Sequence, residues 1–269
     1  MTEQQIGFIG LGNQGGPIAH RIVDAGMPLT VWARRPEALE PYRAKGATIA
    51  ASIAELGAAC DHVGICVFND ADVIGVCEQL IPAMRAGARI AIHSTVLPET
   101  CTTLAEHCAA RGIDLIDAPV SGGAARAVQG TLTVMCGGAE PAFDAARPVF
   151  ETFGKEIILL GAVGAGQRAK IVNNTLLAAN IALAHAALAA GQAMGLDRAA
   201  LARTIRSSSG YSFGVEISAA APSPGDFKGA ALLTKDLALL VSALPGHPAT
   251  AALDAAASPY LAEASAKTQ

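Results

Sequence analysis

Short apolar runs separated by turn residues fill the first half of the chain, at a spacing that leaves room for a helix after each. Residues 6–9 (Ile-Gly-Phe-Ile) form the first run. A Gly-rich turn follows, then a helical pattern over about 17–24 that Gly26 ends. Residues 29–32, 62–67, 89–93, 114–117 and 131–136 read as further strands, with helical segments between them. Strand–helix alternation of this kind predicts a parallel sheet with helices on both faces. After the glycine-punctuated stretch 161–166 the strand signals nearly vanish. A long helix is predicted from near Gln167 to about Met194, before Gly195, and helical patterns follow over 197–207 and 232–243, interrupted by the Pro/Gly/Ser stretch 221–225. The expected class is α/β: a doubly wound, mostly parallel domain over residues 1–163, then an all-α domain over 164–269 led by a long interdomain helix.

Composition narrows the function. The 269 residues are 52% hydrophobic and 16% charged, a folding composition. A formal net charge of -4 and the lack of any Lys/Arg run argue against a nucleic-acid or acidic-lipid partner. The six cysteines make no C-x-x-C pair and no Cys/His zinc spacing, so they read as thiols in a reducing compartment and no metal is expected. The first residues show no basic region and no extended apolar stretch, which predicts a cytoplasmic, unprocessed protein. Residues 176–194 are apolar enough to resemble a membrane span. However, Asn180, His185 and Gln192 interrupt them, Asn173 and Asn174 border them, and alanine supplies much of their apolar character. A buried helix of a soluble protein is the expectation, with no membrane partner.

The first chemical signal is Gly10-Leu11-Gly12-Asn13-Gln14-Gly15, a G-x-G-x-x-G that follows a strand and opens a helix. Gly10 allows the tight turn and Gly12 the approach of a pyrophosphate. Gly15 allows helix to pack on strand, and the helix N-terminus stabilises the anion. This is the cofactor turn of a Rossmann-type domain. An Asp or Glu at the end of the second strand would favour NAD. Arg34 and Arg35 stand there instead and suit the 2′-phosphate of NADP, while the nearby Glu37 keeps NAD use open.

Three further segments carry the reaction: Asp117-Ala-Pro-Val-Ser121-Gly122-Gly123, then Gly164-Ala-Gly-Gln167-Arg-Ala-Lys170-Ile-Val-Asn173-Asn174, then Lys235-Asp236-Leu237. Lys170 and Asn174 are four apart on the long helix and project from one face. At the mouth of the expected interdomain cleft, the Lys170 amine would lose solvation and move toward a neutral state suited to proton exchange. Asn174 would hold the amine and the substrate oxygen in line. Ser121, Gly122 and Gly123 follow a strand carboxyl end, where backbone N–H groups and one hydroxyl could converge on a substrate carboxylate.

With the Gly-rich turn, these segments resemble the β-hydroxyacid dehydrogenase family, which includes the 3-hydroxyisobutyrate dehydrogenases, in the same order along almost the whole chain. The resemblance implies hydride transfer between NADP(H) and a small β-hydroxy acid or the matching semialdehyde or keto acid. It implies a cofactor contact for Lys235 near the nicotinamide and another for Thr95, and a homodimer or homotetramer. Read from the residues alone, Lys235 could instead be a surface lysine pairing with Asp236, and Ser94 or Thr95 a plain helix N-cap. Arg126, residues 209–213 and Phe227 are candidate pocket residues. His185 is expected to be packed rather than a ligand. Two other readings remain open: an NADPH-dependent imine reductase, against which the lysine at 170 argues, and a non-catalytic dinucleotide-binding protein, against which the retained Lys170 and Asn174 argue.

Overall fold

The computed structural model describes residues 4–266. In chain order the first part holds β1 (Ile6–Ile9), α1 (Gly15–Asp24), β2 (Leu29–Trp32), α2 (Glu40–Arg43), β3 (Thr48–Ile49), α3 (Ile53–Ala59), β4 (His62–Ile65) and α4 (Asp70–Leu80). It continues through β5 (Arg89–Ile92), α5 (Pro98–Ala109), β6 (Asp114–Asp117), β7 (Val120–Ser121), α6 (Gly123–Gln129), β8 (Leu132–Cys136), α7 (Glu140–Phe150) and β9 (Gly154–Leu159). The remainder is helical: α8 (Ala165–Ala193), α9 (Arg198–Arg206), α10 (Phe213–Ala220), α11 (Ala230–Ala243) and α12 (Pro248–Ala266). Two compact units result, Met1–Lys170 and Ile171–Gln269.

The first unit is the expected α/β domain. Six strands run parallel in the order β3-β2-β1-β4-β5-β6. Alternate strand residues feed two cores. Ile6, Phe8, Val31 and Ile116 pack with α1 and α7 on one face, and Ile9, Ile65, Ile90 and Ile92 pack with α3, α4 and α5 on the other. Burial on both faces is why these strands are apolar without alternation. Two buried histidines belong to this unit. His93 donates from Nδ1 to the Ala118 carbonyl at 2.8 Å and stacks on Phe8, while His62 lies edge-on to Phe150. Burial holds both imidazoles neutral, with pKa values lowered to about 4 for His93 and about 3 for His62.

A second sheet, β7-β8-β9, pairs β7 with β8 antiparallel and β8 with β9 parallel. An antiparallel bridge between Asp117 and Gly137 joins it to the end of β6. Three strands, one in the main sheet and two in the second, go beyond the sequence reading. β3 and β7 are two residues each, too short for periodicity to register. β9 is an edge strand with exposed Lys155 and Glu156, the charged pattern that protects an edge and hides the strand.

The second unit is all-α. Ala178, Ala179 and Ile181 of α8, Leu233 and Leu237 of α11, and Ala257, Tyr260 and Leu261 of α12 form its core. The α10 and α12 helices were not expected from the sequence. In α12 the alanine-rich stretch gives almost no polar contrast, and Pro259 lies inside the helix. α8 is 29 residues long, and by length and composition alone it is apolar enough to cross a membrane. Its first residues are nonetheless bonded to the sheet, and the buried amide of Asn174 donates to Asp236 of α11.

Candidate active site

All six strands of the main sheet point one way, so the loops leaving β1, β2, β4, β5 and β6 gather at one edge. β1 lies between β2 and β4, so chain order reverses there. Ligands of open α/β sheets collect at such a switch point. Each glycine of the turn after β1 has a visible reason. Gly10 has φ 99°, and a Cβ on it would stand 2.1 Å from the Cys66 carbonyl oxygen. At Gly15 a Cβ would stand 2.0 Å from the Gly10 oxygen, so no side chain fits between helix and turn. At Gly12 a Cβ would meet nothing within 4 Å, which leaves open space beside the backbone. α1 starts at Gly15, two residues earlier than the pattern suggested. Its N-cap Gln14 makes no side-chain cap bond, and no acidic residue lies in its first turn. Uncapped N–H groups beside an open glycine fit a dinucleotide pyrophosphate. Leu11 packs against the core, and Asn13 is exposed.

Arg34 and Arg35 follow β2 at the same edge. Arg34 is 76% exposed at its side chain and lies 3.5 Å from Asp72, a loose pair in water, and Arg35 is exposed.

The loop after β5 carries Thr95 and is held from three directions. Ser94 Oγ accepts the Val67 N–H at 2.8 Å. Asp70 Oδ1 accepts the Leu97 N–H at 2.9 Å and the Thr100 hydroxyl at 2.6 Å. Gln167 donates from Nε2 to the Ser94 carbonyl at 2.9 Å and accepts the Val96 N–H on Oε1 at 3.1 Å. The N-cap alternative for Ser94 and Thr95 is therefore corrected. α5 starts at Pro98 with Leu97 as its N-cap, and the Ser94 hydroxyl serves the β4 loop instead.

Asp117 closes β6 and fixes the start of α8. Its fully buried carboxylate accepts the Gly164 N–H at 2.6 Å and the Gln167 N–H at 2.7 Å. An anion there complements the positive end of a long helix. Burial pushes its carboxyl pKa up, while these two N–H groups pull it back. The contact is close enough that a Cβ on Gly166 would stand 2.2 Å from the Met135 carbonyl oxygen. Lys170, the sixth residue of α8, keeps 9% of its surface exposed.

Asn174, one turn further on, is 5% exposed and belongs to a buried polar cluster in the helical unit. Its Nδ2 donates to Asp236 Oδ2 at 2.6 Å, and the other oxygen of Asp236 lies 3.1 Å from Lys235 Nζ. Lys235 does pair with Asp236, as the sequence alternative had it, but not at the surface: Asp236 is fully buried, only 20% of the Lys235 side chain is exposed, and the carboxylate bridges Lys235 to Asn174. Sequence reasoning did not assign a role to Gln167 or the Asp117 carboxylate, and it did not foresee that Asp236 holds Asn174.

Ser121 ends β7 opposite Thr133. Gly122 (φ 131°) and Gly123 (φ 67°) follow it into α6, and Gly123 borders open space. Arg126 packs on this turn, since a Cβ on Gly122 would stand 2.7 Å from its Cδ. His185 lies near Tyr260, with ring centroids 5.4 Å apart. Among the described residues no group of three or more His, Cys, Asp or Glu could hold a metal ion.

Residues 5–161 match a family model described as the NAD-binding domain of 6-phosphogluconate dehydrogenase. Residues 164–269 match one described as NAD-binding of NADP-dependent 3-hydroxyisobutyrate dehydrogenase. An uncharacterized oxidoreductase of Mycobacterium tuberculosis is 40% identical over 213 residues, covering 78% of this chain and 72% of that one. The NAD-dependent L-serine dehydrogenase of Pseudomonas aeruginosa is 36% identical over 249 residues, covering 88% and 84%. Among solved structures, a 3-hydroxyisobutyrate dehydrogenase of M. tuberculosis with L-serine superposes with a TM-score of 0.87 at 30% identity, covering 98% of this chain and 94% of that one.

Proposed function

For a chain that belongs to the 3-hydroxyisobutyrate dehydrogenase family, we propose hydride transfer between NADP(H) and a small β-hydroxy acid, with Lys170 as the general acid/base. The protein is an oxidoreductase with a nicotinamide-dinucleotide-binding domain. The finer assignments are our reading. The observation that carries it is Lys170, an amine 9% exposed on a helix bonded to the sheet edge that bears the cofactor turn.

When bound, the nicotinamide accepts or supplies the hydride. In oxidation the neutral Lys170 amine takes the hydroxyl proton as the hydride departs from the same carbon, leaving the carbonyl. In reduction the Lys170 ammonium returns that proton to the oxygen. Asn174 orients the oxygen, with its own amide held by Asp236. Ser121, Gly122 and Gly123 anchor the substrate carboxylate through a hydroxyl and backbone N–H groups. Gly10, Leu11, Gly12, Asn13, Gln14 and Gly15 hold the pyrophosphate. Thr95 and Lys235 contact the cofactor further along. Reduced-nicotinamide absorbance, followed with a panel of β-hydroxy acids, tests this reading. Turnover of the acids supports it, and reduction of a cyclic imine alone would overturn it.

NADP preference is assigned to Arg34 and Arg35. The loose Arg34–Asp72 pair at 3.5 Å costs little to give up to a phosphate. Replacing Arg34 by Asp and Arg35 by Ala should weaken NADP by roughly 10–100-fold, the value of one or two charge-assisted hydrogen bonds, with NAD little changed. An unchanged NADP/NAD ratio of kcat/KM would reject these residues as the selector.

We also read the protein as a cytoplasmic homodimer or homotetramer. α8 exposes Val172, Leu176 and Leu183, each at about half or more of its surface, and Met194 follows the helix at 80%. These apolar side chains recur along the helix and suit burial against a second copy. Sedimentation at micromolar protein should give a dimer or tetramer; a monomer would remove the claim.

A further inference from the structure

We propose that Gln167 is a positioning residue whose carboxamide clasps the β5 loop at Ser94 and Val96 and sets where Lys170 lies relative to Thr95. The inference rests on the reading of Lys170 as the proton-exchanging group.

Gln167 is fully buried and held at both ends. Its backbone N–H goes to Asp117 Oδ2, at the end of β6. Its side chain makes two opposed bonds to the β5 loop, accepting from Val96 N–H and donating to the Ser94 carbonyl. With one donor and one acceptor facing it, the carboxamide has a single orientation, pairing with the loop much as a neighbouring strand would. The loop cannot simply follow a displaced Gln167, because Ser94 Oγ is bonded to Val67 and Leu97 to Asp70. A chain of hydrogen bonds thus crosses the sheet edge from the β4 loop through the β5 loop to α8 and back to β6.

Lys170 lies three residues beyond Gln167, on the same side of the helix. A helix is stiff along its axis, so a shift at Gln167 passes to Lys170 nearly undiminished. Capping the helix would not require this side chain, because Asp117 already accepts the N–H groups of Gly164, just before the helix, and of Gln167, in its first turn. The carboxamide instead ties the helix to the loop that carries Thr95, and proton and hydride transfer require that those two parts keep a fixed separation.

The test uses the full-length protein with Gln167→Met, which keeps the length but removes both polar ends, and Gln167→Glu, which keeps the acceptor for Val96 N–H. In Gln167→Met, kcat should fall roughly 10–100-fold with KM changed far less, the penalty expected of a misplaced reacting group. Amide hydrogen exchange at Val96 should accelerate even without cofactor. In Gln167→Glu the rate relative to the parent should rise as pH falls, because only the protonated carboxyl can donate to the Ser94 carbonyl. Should the Met variant fail to fold, that pH signature carries the test. A Gln167→Met protein with a lowered Tm but the parent kcat and pH profile would overturn the proposal, as would an unchanged Val96 exchange rate. Lys170→Ala, measured in parallel, separates the two readings. If it is inactive while Gln167→Met turns over normally, the clasp alone fails. If it is itself active, the assignment of Lys170 fails, and Val96 exchange still judges the clasp.

Discussion

Replacing Lys170 by alanine should lower kcat/KM for the β-hydroxy acid by roughly 10²–10⁴-fold, the usual worth of a positioned general acid/base. NADP affinity, titrated by fluorescence without substrate, should stay close to that of the parent, because the cofactor turn, Arg34 and Arg35 are untouched. Lys170→Arg sharpens the test. Arginine keeps the positive charge but does not give up its proton in a protein. If Lys170 acts only as a fixed cation that attracts the carboxylate, Lys170→Arg will retain most of the rate. If it exchanges a proton, Lys170→Arg will be as inactive as Lys170→Ala. Asn174→Ala should lose less, since it removes orientation and not the proton carrier. A Lys170→Ala enzyme that turns over at the parent rate would end the assignment.

The parts of this site legible in the sequence were those where local geometry dictates residue type. Gly10 must turn with positive φ and Gly15 must let helix meet strand, so the motif is visible as spacing alone. Lys170 and Asn174 share a helix face because they are four apart. The residues that hold them were not legible. Gln167 reaches Ser94 across 73 positions, Asp117 reaches Gln167 across 50, and Asn174 reaches Asp236 across 62. No period or spacing records such pairs; only the folded chain brings them together. Ser94 shows the opposite error. A hydroxyl after a strand and shortly before a helix looks like a cap, but Leu97-Pro98 starts the helix by backbone conformation, leaving the hydroxyl for Val67. In the helical unit, α8 and α11 were found because apolar runs end at glycine or proline, whereas α12 is too uniformly small for any pattern to emerge.

Removing the carboxylate of Asp236 should damage stability and catalysis together. Asp236 is fully buried and serves both the Asn174 amide and the Lys235 ammonium. In Asp236→Ala the amide loses its acceptor, and a cation with only 20% of its side chain exposed loses its counter-charge. Breaking a fully buried pair costs about 3–5 kcal/mol; with Lys235 partly solvated, roughly 2–3 kcal/mol is the expectation. For a chain of this size that corresponds to a Tm lower by roughly 5–10 °C. The rate should fall further than this instability explains, because Asn174 is then free to turn away from the reacting oxygen. Asp236→Asn, which keeps an acceptor but not the charge, should lie between the two. The pair Asp236→Leu with Lys235→Met distinguishes a stabilising role from a positioning one. Apolar replacement of a buried ion pair often restores stability, so the Tm should recover toward the parent value while kcat stays low. Recovery of both would mean that the buried carboxylate serves only to neutralise Lys235. Recovery of Tm alone, with a kcat below that of Lys235→Met measured singly to account for the lost cofactor contact, would mean that a charge is kept inside the helical unit to hold one amide in place for the reaction.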